Sequence, residues 1–375
     1  MDATLASGRQ AVHDRPRVIA GNPAVERFVT PNMPDVTSKT PDRARTRFPG
    51  ISSRAYEHPA DRSALVALRS LTGFDTVLRR MSGLFSERAI RLTYLAGSVR
   101  AGENQFRHLH DLVRDASYIL DLPEVPELYV VQNPQPQAMA IGNDRPFLVV
   151  TTGLLDLHDD EELRFIVAHE VGHILSGHAV YRTMMMILTQ LGARLAWVPL
   201  GNIGIAAILM GLQEWSRKSE LSADRAGLLA GQDPEAAKRA LMKMAGGTRL
   251  REMNTEAFLA QAREYDAAQD VREGMLKFLN LLRQSHPFSV VRFAEIDRWA
   301  KGGEYARILG GDYPRRADDA HAKVTDEVKN AARAYRESWS ESADPFIGKL
   351  RSVAEGAAGA AEGLFDRLGR RGGSD

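Results

Sequence analysis

The sequence predicts an α+β fold that is mainly helical, and three observations lead to this prediction. Helical apolar patterns recur from residue 62 to about residue 300. Three short segments rich in β-branched or alternating apolar residues interrupt them between residues 127 and 153. Hydrophobic residues make up 44% of the chain and charged residues 26%, as in an ordinary globular protein. We therefore expect helices packed together with a small β-sheet.

The composition excludes several kinds of site and partner. The chain has 375 residues, enough to bury one large core. Its formal net charge of +1 offers no field that would attract nucleic acid, so we expect no nucleic-acid partner. It has no cysteines, so any bound metal must be held by nitrogen and oxygen. The N-terminus lacks the apolar core of a signal peptide, which predicts a cytoplasmic location.

Three regions are predicted along the chain. Residues 1–57 carry scattered polar residues and prolines without apolar periodicity, which predicts a flexible tail. Residues 58–315 hold the helical and β patterns and are predicted to form one domain. Residues 316–375 are predicted to form a C-terminal helical segment and tail. Glycines weaken the helical pattern of residues 344–371, so this segment should order only against protein or a lipid surface, or else remain a tail.

The elements before the first functional motif follow from local signals. Residues 104–120 place apolar side chains on one side of a predicted helix, and Pro123 and Pro126 end it. The three β segments are bounded by Pro, Gly or Asn-Asp, and they cover residues 127–132, 137–142 and 146–153.

Two later helices have clear start signals. Asp159 or Asp160 is the predicted N-cap of a helix with acidic residues in its first turn. Asp233 followed by Pro234 predicts the start of a second helix, and Gly246 is its predicted end.

The stretch FIVAHEVGHILSGH, residues 165–178, carries three histidines and a glutamate on one predicted helix. His169 and His173 are four residues apart, so they lie about 40° apart on one face and can reach one cation. Glu170 is about 100° round from His169, close enough to take a proton from water at such a cation. This HExxH spacing is typical of zinc peptidases. His178 is nine residues from His169, about 180° round the same helix, so it is predicted to face away and not to be the third ligand.

A third metal ligand should come from another helix. The stretch SELSADRAG offers Glu220 and Asp224, again four residues apart. Glu220 could bind zinc while Asp224 accepts a hydrogen bond from a ligand imidazole. Alternatively, the two carboxylates form a solvated acidic face that is balanced by Arg217, Lys218 and Arg225.

Four separated motifs together resemble the HtpX and CAAX-prenyl-protease type of gluzincin metallopeptidase. In chain order they are QAMAIG with PFLVVTTG, the HEVGH helix, SELSADRAGLLA and SHPFSVVR, and the resemblance covers roughly residues 60 to 300. It implies a zincin-like metallopeptidase domain with one zinc per chain, held by His169, His173 and Glu220. It also implies that Glu170 acts as the base and that Asp224 holds a ligand imidazole.

The resemblance also implies how substrate binds. Residues 137–142 would form the edge strand of a small sheet beside the active-site helix, and an extended protein or peptide substrate would add to it as a further strand. The substrate-binding residues would be Gln137, Ala138, Met139 and Ala140. The family usually has Asn-Ala-Phe or a close variant here, and Gln137-Ala138-Met139 departs from it.

The opposite wall of the cleft has two candidate catalytic residues. His286 or Arg292, in HPFSVVR, could stabilise the oxyanion, with Tyr181 as the next candidate. Alternatively, His286 marks a helix start and Arg292 is a surface arginine. The function predicted is a zinc-dependent endopeptidase, with protein quality control as one setting. The alternative is a catalytically idle zinc-binding scaffold or chaperone-like peptide binder.

The apolar stretch of residues 183–213 raises the question of a membrane span. Residues 195–213 are uncharged over 19 residues, near the ~20 needed to cross a bilayer. A single span would place His173 and Glu220 roughly 30 Å apart, too far for one zinc. We therefore expect a helical hairpin packed over the active-site helix. Peripheral membrane contact through residues 183–213 or 344–371 is the alternative.

Overall fold

The structure is a computed structural model that describes residues 44–69, 74–75, 78, 86–195, 202–267 and 288–321. It is mainly helical with one four-stranded sheet, which confirms the predicted fold class. The helices are α1 (Pro59–Arg69), α2 (Glu87–Gly97), α3 (Arg107–Ile119), α4 (Thr152–Leu157), α5 (Asp160–Leu175), α6 (His178–Leu195), α7 (Asn202–Gly231), α8 (Pro234–Gly246), α9 (Thr255–Ala267), α10 (Ser289–Lys301) and α11 (Gly303–Leu309). The strands are β1 (Val99–Arg100), β2 (Leu128–Val131), β3 (Ala138–Ile141) and β4 (Phe147–Thr151).

The sheet has the order β1-β2-β4-β3, so β3 lies at one edge. β2 and β4 are parallel, whereas β1 and β3 pair antiparallel with their neighbours. Ala138 lies opposite Val150 and Ala140 opposite Leu148, and all four belong to the main core on one face of the sheet. The β3 strand also packs against α5 and α6. The strand predicted to bind substrate is therefore at the sheet edge and next to the helix that carries HExxH.

Helix α5 begins with a complete capping box. The Asp159 side chain accepts a hydrogen bond from the Glu162 N–H over 3.0 Å, and the Glu162 carboxylate accepts one from the Asp159 N–H over 3.1 Å. These bonds satisfy two backbone donors that a helix start otherwise leaves without partners. Asp159 is thus the N-cap, one of the two residues predicted for that position.

Glu162 also makes the fold sensitive to acid. Burial raises the pKa of Glu162, but hydrogen bonds with His158, Lys243 and the Asp159 N–H lower it further, from 4.5 to about 2. A folded-state pKa below the unfolded value contributes stability that is complete above pH 4.5 and lost as the pH falls towards 2. The shift corresponds to about 3 kcal/mol.

We expect Glu162→Gln to reduce the fall in unfolding free energy between pH 4.5 and 2. Urea titrations at several pH values would measure it. Glu103→Gln removes a carboxylate from an exposed loop and serves as the control. An unchanged slope in Glu162→Gln would show that Glu162 does not carry this dependence.

Small residues let α5 and α7 approach closely. A Cβ added at Gly172 of α5 would lie 2.5 Å from Ala226 Cβ of α7. A Cβ added at Gly227 of α7 would lie 2.8 Å from the Phe165 carbonyl oxygen. Neither gap admits a side chain without movement, so these glycines set the distance between the two helices. This close packing brings Glu220 and Asp224 opposite the two histidines of α5.

Residues 183–195 belong to α6 and residues 202–213 to α7, and these two helices contact each other. The predicted turn of the hairpin, near residues 198–204, lies mostly outside the described residues. The side chains of Met184, Leu188, Leu212 and Trp215 pack in a second buried cluster. Among the residues that the structure describes, no helix is both long and apolar enough to cross a membrane.

The structure corrects the extent of the predicted N-terminal tail. Phe48, Ile51, Ala55 and Tyr56 fall within it but are buried in the main core. Backbone bonds hold this segment, because residues 50–52 pair with residues 314–316. Such long-range pairing leaves no helical or strand periodicity in the sequence. At the other end, residues 316–321 form a short 3₁₀ helix. Residues 322–375, which include the predicted segment 344–371, lie outside the residues that the structure describes.

Candidate metal centre

The two histidines of HExxH and the carboxylate of Glu220 converge on one point. His169 Nε2 and His173 Nε2 are 3.1 Å apart. Glu220 Oε2 is 3.4 Å from His169 Nε2, and Glu220 Oε1 is 3.4 Å from His173 Nε2. All three side chains are buried. The structure thus brings together the three residues that the resemblance implied as metal ligands.

These distances fit a zinc ion. Zinc binds nitrogen and oxygen at 2.0–2.2 Å in tetrahedral sites, so two of its ligand atoms lie about 3.3 Å apart. Two imidazoles and one carboxylate are also a donor set that catalytic zinc sites use. His169, His173 and Glu220 would therefore hold the ion.

Asp224 and Arg292 both contact the Nδ1 atom of His169. His169 Nδ1 is 2.9 Å from Asp224 Oδ1, which leaves Nε2 for a metal. Burial lowers the pKa of His169, but hydrogen bonds with Asp224 and Glu220 raise it further, to about 9. Burial raises the pKa of Asp224, but the guanidinium of Arg292 and the contact with His169 lower it below its usual value. The Asp224 carboxylate is thus held ionised against the imidazole.

Arg292 of α10 is buried and binds two carboxylates. It donates to both oxygens of Asp224, over 2.8 and 2.6 Å, and its Nη1 is 3.2 Å from Glu220 Oε2. The alternative of a surface arginine is therefore wrong. Its predicted role as oxyanion donor stays a prediction, and the contacts favour a role in orienting Asp224 and Glu220. His286 lies outside the described residues.

We expect Arg292→Ala to lower the unfolding free energy of the metal-free protein by about 3–5 kcal/mol, since it leaves the buried Asp224 carboxylate without its guanidinium partner. Urea unfolding would measure this, with exposed Arg298→Ala on the same helix as the control. Wild-type stability together with a hundred- to thousandfold lower kcat would instead support the oxyanion role.

Glu170 lies beside the three ligands but farther from the metal position. Its Oε1 is 3.9 Å from His169 Nε2, and the side chain is buried. Glu170, His169 and Arg292 line one narrow cavity together with Ala138 of β3. The base predicted from HExxH therefore faces the same space as the predicted substrate strand.

His178 does not face away from the site, so that prediction is wrong. Helix α5 ends at Leu175, Ser176 is its C-cap, and Gly177 has φ +69°, which turns the chain. His178 then opens α6, and its Nδ1 lies 3.0 Å from His173 Nδ1. The Ser-Gly pair after the helix was the available sequence signal, because glycine with positive φ commonly ends helices.

Arg182 is a site residue that the sequence analysis missed. Its Nη1 lies 2.7 Å from His173 Nε2 and also contacts Glu220 Oε1. Burial and the nearby Arg182 lower the pKa of His173 well below its usual value, which favours the neutral imidazole that metals bind. A metal would use the same Nε2 lone pair, so Arg182 would have to move away from His173 Nε2 when a metal binds. Tyr181 is not at this position, because its hydroxyl accepts from Arg69.

A helix carrying HExxH, joined by a glutamate from a neighbouring helix, defines a class of metallopeptidases. The sequence model of peptidase family M48 matches residues 103–300, and the chain belongs to this family. The predicted resemblance is thereby confirmed.

Named relatives agree with this family. The chain is 38% identical over 268 residues to the plastoglobule-localized metallopeptidase 48, chloroplastic, of Arabidopsis thaliana, covering 70% of this chain and 77% of the relative. It is 30% identical over 185 residues to a protease HtpX homolog of Caldanaerobacter subterraneus subsp. tengcongensis, covering 41% of this chain and 62% of the relative. It is 25% identical over 178 residues to protease HtpX homolog 2 of Methanosarcina acetivorans, covering 41% of this chain and 60% of the relative. No solved structure matches the chain.

Proposed function

We propose that the protein is a zinc-dependent endopeptidase that cleaves extended protein or peptide substrates, with one zinc per chain. The observation that carries this proposal is the convergence of His169, His173 and Glu220 on one point, with Glu170 beside them. Membership of a peptidase family supports hydrolysis of peptide bonds. The position of β3 supports an extended substrate.

Glu170 supplies the acid–base chemistry in this proposal. When bound, zinc would lower the pKa of a water molecule towards 7 and polarise the peptide carbonyl. The Glu170 carboxylate accepts a proton from that water as it attacks the carbonyl carbon. It then donates the proton to the amide nitrogen as the C–N bond breaks, so the same carboxylate serves both steps. Its burial keeps bulk water away from both proton transfers.

The substrate would pair with β3 as an added antiparallel or parallel strand. An edge strand offers backbone N–H and C=O groups that an extended peptide can use. Ala138 lies on this strand and in the cavity that contains Glu170, so a paired peptide would pass the base. The remaining cavity wall is apolar and is formed by Leu154, Phe165, Ile166, Ala240, Leu241 and Met244.

Digestion of unfolded casein, followed by mass spectrometry of the products, would test the proposal. An endopeptidase should yield internal fragments, and a zinc chelator should stop their formation until zinc is restored. Binding of casein without cleavage by the zinc-loaded protein would contradict it and support the scaffold or chaperone-like alternative.

Peptides methylated at single backbone nitrogens would test the strand pairing. A methylated nitrogen cannot donate a hydrogen bond to β3. In an extended peptide, successive backbone N–H groups point to opposite sides, so only every second one faces β3. We expect kcat/KM to fall at every second methylated position and to change little at the positions between. A uniform effect along the peptide would contradict pairing with β3.

The cellular setting of this activity remains part of the proposal. We propose a cytoplasmic protein that acts on unfolded proteins in quality control, with residues 183–213 or 344–371 as candidate contacts to a membrane surface. Vesicle flotation in the presence of unfolded substrate would test the membrane contact. Recovery of all protein in the unbound fraction would contradict it.

A further inference from the structure

A chain of hydrogen bonds leads from His173 to the N-terminal helix α1. His173 Nδ1 is 3.0 Å from His178 Nδ1, and His178 Nε2 is 3.2 Å from Asp61 Oδ2. Ser222 Oγ of α7 donates to the same Asp61 oxygen over 2.6 Å. The four side chains are each at most 3% exposed, so bulk water does not compete for these contacts.

The partners determine which nitrogen of each imidazole carries a proton. Asp61 can only accept, so His178 Nε2 donates to it, and the neutral His178 ring then has a lone pair on Nδ1. A hydrogen bond between two Nδ1 atoms needs one donor, so His173 Nδ1 carries the proton. This leaves the lone pair of His173 on Nε2, which faces His169 Nε2 and Glu220.

We propose that His178 and Asp61 are positioning residues that fix the tautomer and orientation of His173 for metal binding. The inference rests on the proposed role of His173 as a metal ligand. Both metal-binding histidines would then be oriented by a buried aspartate. Asp224 fixes His169 directly, whereas Asp61 fixes His173 through a second imidazole.

Asp61 reaches this position from outside the part of the chain that matches the family. That match begins at residue 103, and Asp61 lies in α1. The Ser222 hydroxyl ties α1 to α7, since it donates to Asp61 and accepts from the His58 N–H over 2.9 Å. Glu220 lies on the same helix, one turn before Asp224. The segment before the matched region is therefore part of the metal centre's support.

The expected effect of breaking this chain is a loss of metal affinity. Without the His178 partner, His173 can rotate or adopt the tautomer with a proton on Nε2, which cannot bind a metal through that nitrogen. Removing a partner that orients a ligand imidazole typically weakens metal binding by about 10–100-fold. The loss should therefore be smaller than the loss caused by removing His173 itself.

Competition with a chromogenic zinc chelator would test the proposal on the purified full-length protein. We expect His178→Ala to weaken zinc affinity about 10–100-fold. His178→Asn should lose less, because its side-chain oxygen can accept from His173. Asp61→Asn should weaken affinity in the same direction, and the cobalt-substituted His178→Asn protein should show a shifted visible spectrum.

His158→Ala is the matched control. His158 is also buried and bonds a carboxylate, Glu162, but at the far end of α5. The His158→Ala substitution should lower the thermal stability of the metal-free protein and leave its zinc affinity unchanged. This control separates a general loss of packing from a loss of His173 positioning.

Two results would overturn the proposal in different ways. If the wild type binds zinc and both His178→Ala and Asp61→Asn bind it equally well, the positioning role is wrong and the proposed function stands. If the wild type does not bind zinc, the proposed function fails, and this inference fails with it.

Discussion

Glu170→Gln should lower kcat/KM for peptide cleavage by about a hundred- to ten-thousandfold, the range that a positioned general base contributes. Glutamine has nearly the same shape but cannot accept the proton of the attacking water. The zinc content should not change, because Glu170 Oε1 lies 3.9 Å from His169 Nε2 and outside the set of three ligands. Initial rates on a fluorogenic peptide, together with metal analysis of the same samples, would measure both quantities.

The control for this substitution is Glu256→Gln, in the exposed first turn of α9. It should cleave at the wild-type rate. Wild-type cleavage by Glu170→Gln would show that another group takes the proton. A loss of zinc in Glu170→Gln would show that Glu170 binds the metal or that the site has collapsed.

Glu220→Ala should abolish zinc binding and reduce cleavage to the level of the metal-free protein. The carboxylate oxygens of Glu220 lie 3.4 Å from both metal-binding nitrogens, closer than the 3.9 Å between Glu170 Oε1 and His169 Nε2. The substitution also removes a carboxylate that contacts the Arg182 and Arg292 side chains. Two buried cations would then remain next to the histidines and oppose a metal ion.

Metal analysis after zinc loading and gel filtration would measure this effect, with exposed Glu235→Ala as the control. Glu220→Asp should also bind poorly, because its carboxylate is one methylene short of both imidazoles. Retention of one zinc per chain in Glu220→Ala would mean that the third ligand is a different residue.

The sequence predicted the parts of the site that depend on local spacing. His169, Glu170 and His173 share one face of a helix, so four-residue spacing alone places them together. Glu220 and Asp224 repeat this spacing on a second helix, although only the resemblance to a family indicated that the two helices meet. The Asp159 cap and the three longer strands were likewise visible as local patterns.

The remainder of the site depends on where the chain turns and on long-range packing. Ser176 and Gly177 end α5, and this single break moves His178 from the far side of a helix to the side of His173. Asp61 lies 117 residues before His178, so no periodic pattern links the two. Arg182 lies directly before the apolar stretch of residues 183–213, and no motif in the sequence marks it. Such contacts follow from the packing of α1, α6 and α7, which the sequence alone does not define.

The zinc content of purified wild-type protein and of His173→Ala tests the metal centre most directly. Both proteins would be loaded with zinc, freed of excess ion by gel filtration and analysed by mass spectrometry of the metal, with His158→Ala as the control. We predict one zinc per chain in the wild type and in the control, and none in His173→Ala, because His173 Nε2 is one of the three converging ligand atoms. Full retention of zinc by His173→Ala, or a wild-type protein that binds none, would contradict the assignment of the metal to His169, His173 and Glu220.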